Sequence, residues 1–339
     1  MGQSRARGTQ LLRRYDADSR ADLTSARAAQ RRVRSRRVQS PLGSGPWRTR
    51  GGTFRSLARA SPSRSARASR LLGTRAGGGA RAAGVAILGL GTEVSKLTFE
   101  ERQEVLEVVA KRIDGRKPLL VTIYGDTITE QIEFSKLAIQ NGASALLLQP
   151  PSHKMDELTL IDFFSKIIEA VDCPIGVQNA PEFLGFGLSN KNLIQIANEH
   201  ENFKIAKLEC NAVNLASVAS EIGDSVMIFN GRCGLELPDN LRAGASGLIP
   251  AIDTVDKTSE IFVEFNSGNE EWADELYAEL LPVLCFLMQG IPHFLTYGKM
   301  LAAERLRIEL GGSRETALAA TEFGKACVRR FAKRLGPLN

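Results

Sequence analysis

From Gly84 onward the chain repeats one pattern, and that repeat restricts its possible folds more than any other feature. Short apolar runs recur at Val85–Leu88, Leu119–Ile123, Ala145–Leu148, Ile175–Val177, Lys204–Ala206, Val226–Phe229 and Gly247–Ile249. Each is brief and largely apolar on both faces, as a parallel strand covered on both sides must be. Helical patterns lie between them. Thr98 and Glu101 read as a capping box, after which Val105, Val108, Val109 and Ile113 fall on one face. Ser189 reads as the cap of a helix carrying Leu193, Ile196 and Ala197. Strand starts are spaced by roughly 20–34 residues, the period of a β/α unit.

A doubly wound sheet and a closed barrel both repeat this unit. No G-x-G-x-x-G follows a strand, since Gly89 and Gly91 lead into Thr92 and Glu93. Seven units without that nucleotide fingerprint favour an α/β (β/α)8 TIM barrel. Seven is one short of eight, and the missing first strand and helix should precede Val85. After Ala251 the pattern is helical, through Trp272–Met288 and Glu315–Leu335. Residues 84–252 are therefore assigned to TIM-barrel β/α units, and 253–339 to the last barrel helix and a C-terminal helical extension.

Where the first unit should stand, the composition is wrong for a barrel. Residues 1–83 hold 20 Arg, no Lys and 3 Asp, about +17, whereas the whole chain carries only +6; the remainder is thus acidic, about −11. RRVRSRR at 31–37 and RASPSRSARASR at 59–70 have too few branched apolar residues to offset the entropy of ordering. The 1–83 segment is therefore expected to be disordered, replacing a genuine first β/α unit through a non-native translation or a targeting sequence. A nucleic-acid arm fits less well, because only Tyr15 and Trp47 precede Phe54 as stacking groups. A mitochondrial transit peptide is Arg-rich and acid-poor; Asp16, Asp18 and Asp22 speak against one, and otherwise a cytoplasmic location is expected. Five scattered cysteines without a C-x-x-C pair, and three histidines, give no metal-ligand spacing. No apolar run reaches the ~20 residues a membrane span needs.

In a barrel of this kind, working residues sit at the C-terminal ends of strands. That rule points to Gly89–Glu93, Tyr124–Asp126, Pro150–His153, Gln178–Pro181, Lys207–Glu209, Asn230–Cys233 and Ile249–Asp253. Lys207 stands out. It follows Phe203-Lys204-Ile205-Ala206, and an amine in a poorly solvated pocket is held in its neutral form, able to attack a ketone. Read from spacing alone, a surface lysine in a strand-to-helix loop is the better reading.

GLGTEVSKLTFEER (89–102) resembles the GTTGE…LT.EER signature of the dihydrodipicolinate synthase/N-acetylneuraminate lyase family. The resemblance continues, in order, through NGASALLLQPP (141–151), PIGVQNAP (174–181), FKIAKLE (203–209) and FNGRCGLELPDNLRAGASGLIPA (229–251). It implies a class I, Schiff-base-forming lyase, a homodimer or homotetramer needing no cofactor. Lys207 would be the Schiff-base lysine, and Gly231 and Ile249 would line the pocket.

The departures from that pattern matter as much. Two hydroxyl residues of the signature are replaced by Leu90 and Gly91, leaving Thr92 one place later; the N–H groups of Gly91 and Thr92 can still bind a carboxylate. The proton-shuttling Tyr of the family is Gln178, followed by Asn179 at the strand end. The paired-Tyr motif is Ser152-His153, and the Arg that holds a second carboxylate falls at Phe183. His153 and Tyr124 are then the candidate acid–base groups, and Glu209 a group that orients an ammonium or a water. The expected activity is aldol cleavage or dehydration of a 2-oxo acid such as pyruvate or a 2-keto-3-deoxy sugar acid, not lysine-biosynthetic synthesis. The alternative is a non-catalytic barrel that binds a 2-oxo acid or keeps only the fold.

Overall fold

The computed structural model describes residues 54–56, 82–311, 314 and 318–338. Eight parallel strands run in sequential order: β1 Phe54–Ser56, β2 Gly84–Ile87, β3 Leu119–Ile123, β4 Ala145–Leu148, β5 Ile175–Asn179, β6 Phe203–Leu208, β7 Met227–Asn230 and β8 Gly247–Leu248. Parallel strands in chain order, joined by helices, are the topology of a (β/α)8 barrel. The connecting helices are α1 Phe99–Ile113, α2 Ile128–Gln140, α3 Glu157–Glu169, α4 Asn190–Glu199, α5 Ala212–Glu221 and α6 Leu237–Arg242, with α7 Val255–Asn266 following β8.

All seven strands anticipated from Gly84 onward are present. The first position is filled from inside the Arg-rich stretch, where Phe54–Ser56 pairs with Gly84–Ala86. Ladder hydrogen bonds use only backbone groups, so three residues complete a strand without the apolar pattern that would announce it. The rest of the expected disordered 1–83 segment, apart from Ala82 and Ala83, lies outside the described residues.

The local signals act as read. Thr98 and Glu101 close both halves of the capping box at the start of α1, and the Ser189 hydroxyl accepts from the Asn192 N–H at α4. Strand parity then divides the core. Val85, Ile87, Val121, Ile123, Leu146, Leu148, Val177, Ala206 and Leu208 face the helices in one apolar cluster. The alternate residues Ala86, Thr122, Leu147, Gln178 and Lys207 turn into the barrel, where they line a cavity.

The C-terminal extension holds α8 Glu270–Leu287, a bent segment from Ile291 to Gly298, α9 Lys299–Leu306 and α10 Glu322–Leu335. These helices share a second apolar cluster that reaches Leu248 of β8. The last helix begins at Glu322, not at Glu315 as the pattern suggested, because the Thr321 hydroxyl caps it by accepting from the Gly324 N–H.

Candidate active site

At the C-terminal ends of the strands lies a cavity of about 70 Å³, several times the room one water needs. β5, β6 and β7 supply its polar wall. Ile175 pairs with Phe203 but Gly176 with Ile205, so Lys204 is the extra residue of a bulge, and beyond it Gln178 stands opposite Lys207. Gly176 permits this approach, since a Cβ there would lie 1.9 Å from the Ile205 carbonyl oxygen.

Lys207 and Glu209 are two residues apart on one strand end, so both point into the barrel. Both are buried, at 8% and 6% exposure. The Lys207 Nζ donates to Glu209 Oε1 at 2.6 Å, and Gln178 Nε2 donates to the same oxygen at 3.3 Å. The Arg232 N–H donates to Glu209 Oε2 at 2.6 Å. Gln178 in turn accepts from Gln149 Nε2 at 3.1 Å, and the Gln131 amide donates to the Gln149 and Gly125 carbonyls. A chain of buried amides thus crosses from α2 to β6 and fixes the carboxylate that meets the lysine. Gly231 completes the fit, because a Cβ there would lie 2.1–2.2 Å from the Glu209 carboxyl group.

Opposite this wall, Leu90–Thr92 form a single 3-10 turn after β2. The leading N–H groups of such a turn have no partner within it, so Leu90 and Gly91 offer two donors at the cavity edge. The roof is apolar and comes from the C-terminal helices: Met288, Ile291 and Phe294.

Of the residues anticipated from sequence, Lys207, Gln178, Glu209, Gly91, Gly231 and Ile249 line this one cavity. Four others do not. Thr92 spends its hydroxyl and its N–H on the Gly89 carbonyl, at 2.7 and 3.0 Å. Asn179 has the opposite parity to Gln178; its amide grips the Leu188 backbone and ties down the loop after β5. Tyr124 lies outside the lining, with the Arg102 guanidinium 5.8 Å from its ring centre. Burial, reinforced by Asp126, raises the pKa of its phenol, which makes it a poorer proton donor. His153 is exposed on the loop after β4. Phe183 sits in the short helix Pro181–Leu184, half-buried and away from the lining.

The structure gives a place to three residues that the strand-end rule had spanned without assigning them a role. Arg232 lines the cavity, so the site holds a second cation beside Lys207, with its guanidinium on Glu236 at 2.8 Å. Cys233 also lines it, in a left-handed conformation at φ 54°. Burial, with Asp253 and Glu209 nearby, pushes the Cys233 thiol well above its usual range. Asp253, fully buried behind the roof, has its pKa raised by burial to about 7, although Arg305 opposes the shift. Arg232 and Cys233 follow Gly231 directly, within the Asn230–Cys233 stretch to which the strand-end rule pointed. The roof residues carry no such signal.

Comparison with known proteins bears on the family and the fold. The model of the dihydrodipicolinate synthetase family matches residues 69–304. A 4-hydroxy-tetrahydrodipicolinate synthase of Methanopyrus kandleri is 30% identical over 264 residues, 75% of this chain and 85% of that protein. One from Pelobacter propionicus is 27% identical over 59% of this chain and 70% of its own length. The crystal structure of the Aquifex aeolicus dihydrodipicolinate synthase superposes with a TM-score of 0.75 at 21% identity, covering 86% of this chain and all of that one (100%). A prophage protein of the same family from E. coli K12, solved in complex with pyruvate, gives 0.73 at 20% identity, covering 84% of this chain and 98% of its own. With the matched region spanning β2 to α9 and every strand of the cavity wall, the chain belongs to the dihydrodipicolinate synthetase family.

Proposed function

We propose that this protein is a Schiff-base-forming lyase that acts on a 2-oxo acid, with pyruvate or a 2-keto-3-deoxy sugar acid as the substrate class. The observation that carries the reading is the Lys207 amine, buried in the cavity within 2.6 Å of a carboxylate. That lysine lines the space where a ligand would sit. The N–H groups of Leu90 and Gly91 are suited to a substrate carboxylate, which would bring its C2 carbonyl toward Lys207. Attack by the amine and loss of water give an iminium ion, whose positive nitrogen accepts the electron pair of a breaking C–C bond. The same sink serves loss of a β-hydroxyl. Arg232 at the cavity edge favours substrates with a second polar or anionic end.

The test is reductive trapping. Pyruvate with borohydride should add a reduced three-carbon acid to a single lysine, and peptide mapping should place it at Lys207. The Lys207→Arg variant should fold yet take up no label, because a guanidinium stays protonated and does not attack a ketone. Label on Lys204, whose side chain lies at the bulge, would overturn the assignment. Turnover is then sought with a panel of 2-keto-3-deoxy acids.

A further inference from the structure

An iminium chemistry on Lys207 needs a group that removes and returns protons at the reacting nitrogen, and we infer that Glu209 is this catalytic acid–base. The inference rests on the Lys207 reading and adds a residue to it. Four titratable side chains line the cavity among the described residues: Lys207, Glu209, Arg232 and Cys233. Arg232 cannot give up its proton in the working range. Cys233 is a thiol whose ionisation burial opposes. The amide of Gln178 neither gains nor loses a proton near neutrality, and Tyr124 and His153 lie outside the lining. Glu209 alone touches the nitrogen that reacts.

Its setting is built for that task. One oxygen faces Lys207 and Gln178, while the other is held by the Arg232 N–H. The carboxyl group occupies the space that any side chain at position 231 would fill. A carboxylate needed merely to neutralise a buried ammonium would not require a glycine cut away beneath it. The Arg232–Cys233 pair that presents the N–H is itself in the left-handed region, at φ 30° and 54°, a conformation kept at a cost and common at working sites.

The proton traffic balances. The cycle begins with the lysine as an ammonium and Glu209 as a carboxylate, in contact at 2.6 Å. Glu209 Oε1 takes one proton from Nζ, and the free amine attacks C2, sending the carbonyl π electrons to oxygen. The acid returns its proton to that oxygen, giving the carbinolamine with nitrogen still positively charged. Glu209 then takes a second proton from nitrogen and delivers it to the departing hydroxyl, which leaves as water. The lone pair on nitrogen closes the C=N bond, and Glu209 is again a carboxylate beside a protonated imine. Three hydrogens on nitrogen at the start become one on the imine and two in water, with net charge unchanged.

The experiment times imine formation by quenching wild type and variants with borohydride at successive intervals after mixing with pyruvate. Glu209→Gln keeps the shape and loses the base, so the trapping rate should fall about 100-fold or more, with the label still ending on Lys207. Glu209→Ala should be as slow, and added formate should restore part of its rate in a concentration-dependent way, since a small carboxylate can occupy the vacated place. A purely structural Glu209 would show no formate rescue. Wild type that takes no label sinks the Lys207 reading and this one with it. Wild type labelled at Lys207, with Glu209→Gln trapping at the same rate, overturns the role of Glu209 alone. Absence of formate rescue in a folded Glu209→Ala protein does the same.

Discussion

Two buried carboxyl groups, one after β6 and one after β8, meet the same problem in opposite ways. Glu209 is given donors on every side: an ammonium, an amide and a backbone N–H. Asp253 is given almost none. Neither of its oxygens completes a hydrogen bond of good geometry among the described residues, and the N–H groups of Asp253 and Thr254 lie only near enough to favour its ionised form slightly. The Arg305 guanidinium, which could have neutralised it, is committed to the Asp256 carboxylate at 2.7 and 2.9 Å and to backbone carbonyls. Burial costs an ion several kcal/mol unless partners replace the lost water. Asp253, without such partners, holds its proton to a pH of about 7. Burial by itself does not mark a working acid; the donors gathered around it do.

The largest expected effect comes from breaking the Glu209 side of this comparison at its support. In Gly231→Ala the new methyl group would stand 2.1–2.2 Å from the Glu209 carboxyl. The obstacle is the far end of a side chain rather than backbone, so the fold should adjust by moving Glu209 off Lys207. Displacement of a reacting group by about 1 Å costs about 100-fold in rate. Turnover should therefore fall by that order while the melting temperature stays within a few degrees. A variant that loses stability but keeps its rate would show that Gly231 serves packing, not the carboxylate.

How much of this was legible in the sequence follows from which interactions are local. The seven strands could be read because each is apolar on both faces, and α1 and α4 because their caps lie within four residues. Lys207 and Glu209 could be placed together because strand parity puts i and i+2 on one side. The same parity, not applied one residue further along β5, would have turned Asn179 away from the site and toward Leu188. Thr92 was misplaced because a 3-10 turn redirects its hydroxyl to Gly89, and turns of that length leave little trace in composition. Met288, Ile291 and Phe294 close a cavity whose polar wall comes from β5, β6 and β7, far earlier in the chain, and no local pattern records that meeting. β1 was invisible because Phe-Arg-Ser contributes backbone alone to the ladder.

A smaller effect, in stability and not in rate, should mark Asp253. Its pKa in the folded protein is raised to about 7 from the ordinary 3.8. At low pH both folded and unfolded chains hold the proton, so the group costs nothing. Between roughly pH 4 and pH 7 the unfolded chain releases the proton and the folded one keeps it, so stability falls as pH rises, then levels off. The fall is on the order of 4 kcal/mol by the usual conversion. Asp253→Asn keeps the shape and removes the titration. Urea unfolding of both proteins at pH 4, 5.5, 7 and 8 should show the variant gaining on the wild type across that window. Parallel curves would mean that Asp253 finds a partner and resembles Glu209 after all.

The smallest effect is expected where neither carboxyl group reaches. His153 has the chemistry of an acid–base residue, and from sequence it was a candidate for that role beside Tyr124. Its ring stands exposed on the loop after β4, outside the cavity lining. The neighbouring Ser152 N–H is tied to Asp126 at 2.7 Å, which holds the loop by its backbone and leaves the imidazole unneeded for that purpose. Removal of an exposed side chain without packing duties changes stability by roughly 0.5 kcal/mol or less, and the same energy in a barrier is a change of about two-fold in rate. His153→Ala should therefore trap pyruvate on Lys207 at close to the wild-type rate, with an unaltered pH profile between 5 and 8. A ten-fold loss, or a limb of the profile that disappears with the imidazole, would show the loop folding over the bound substrate and returning the proton transfer to His153.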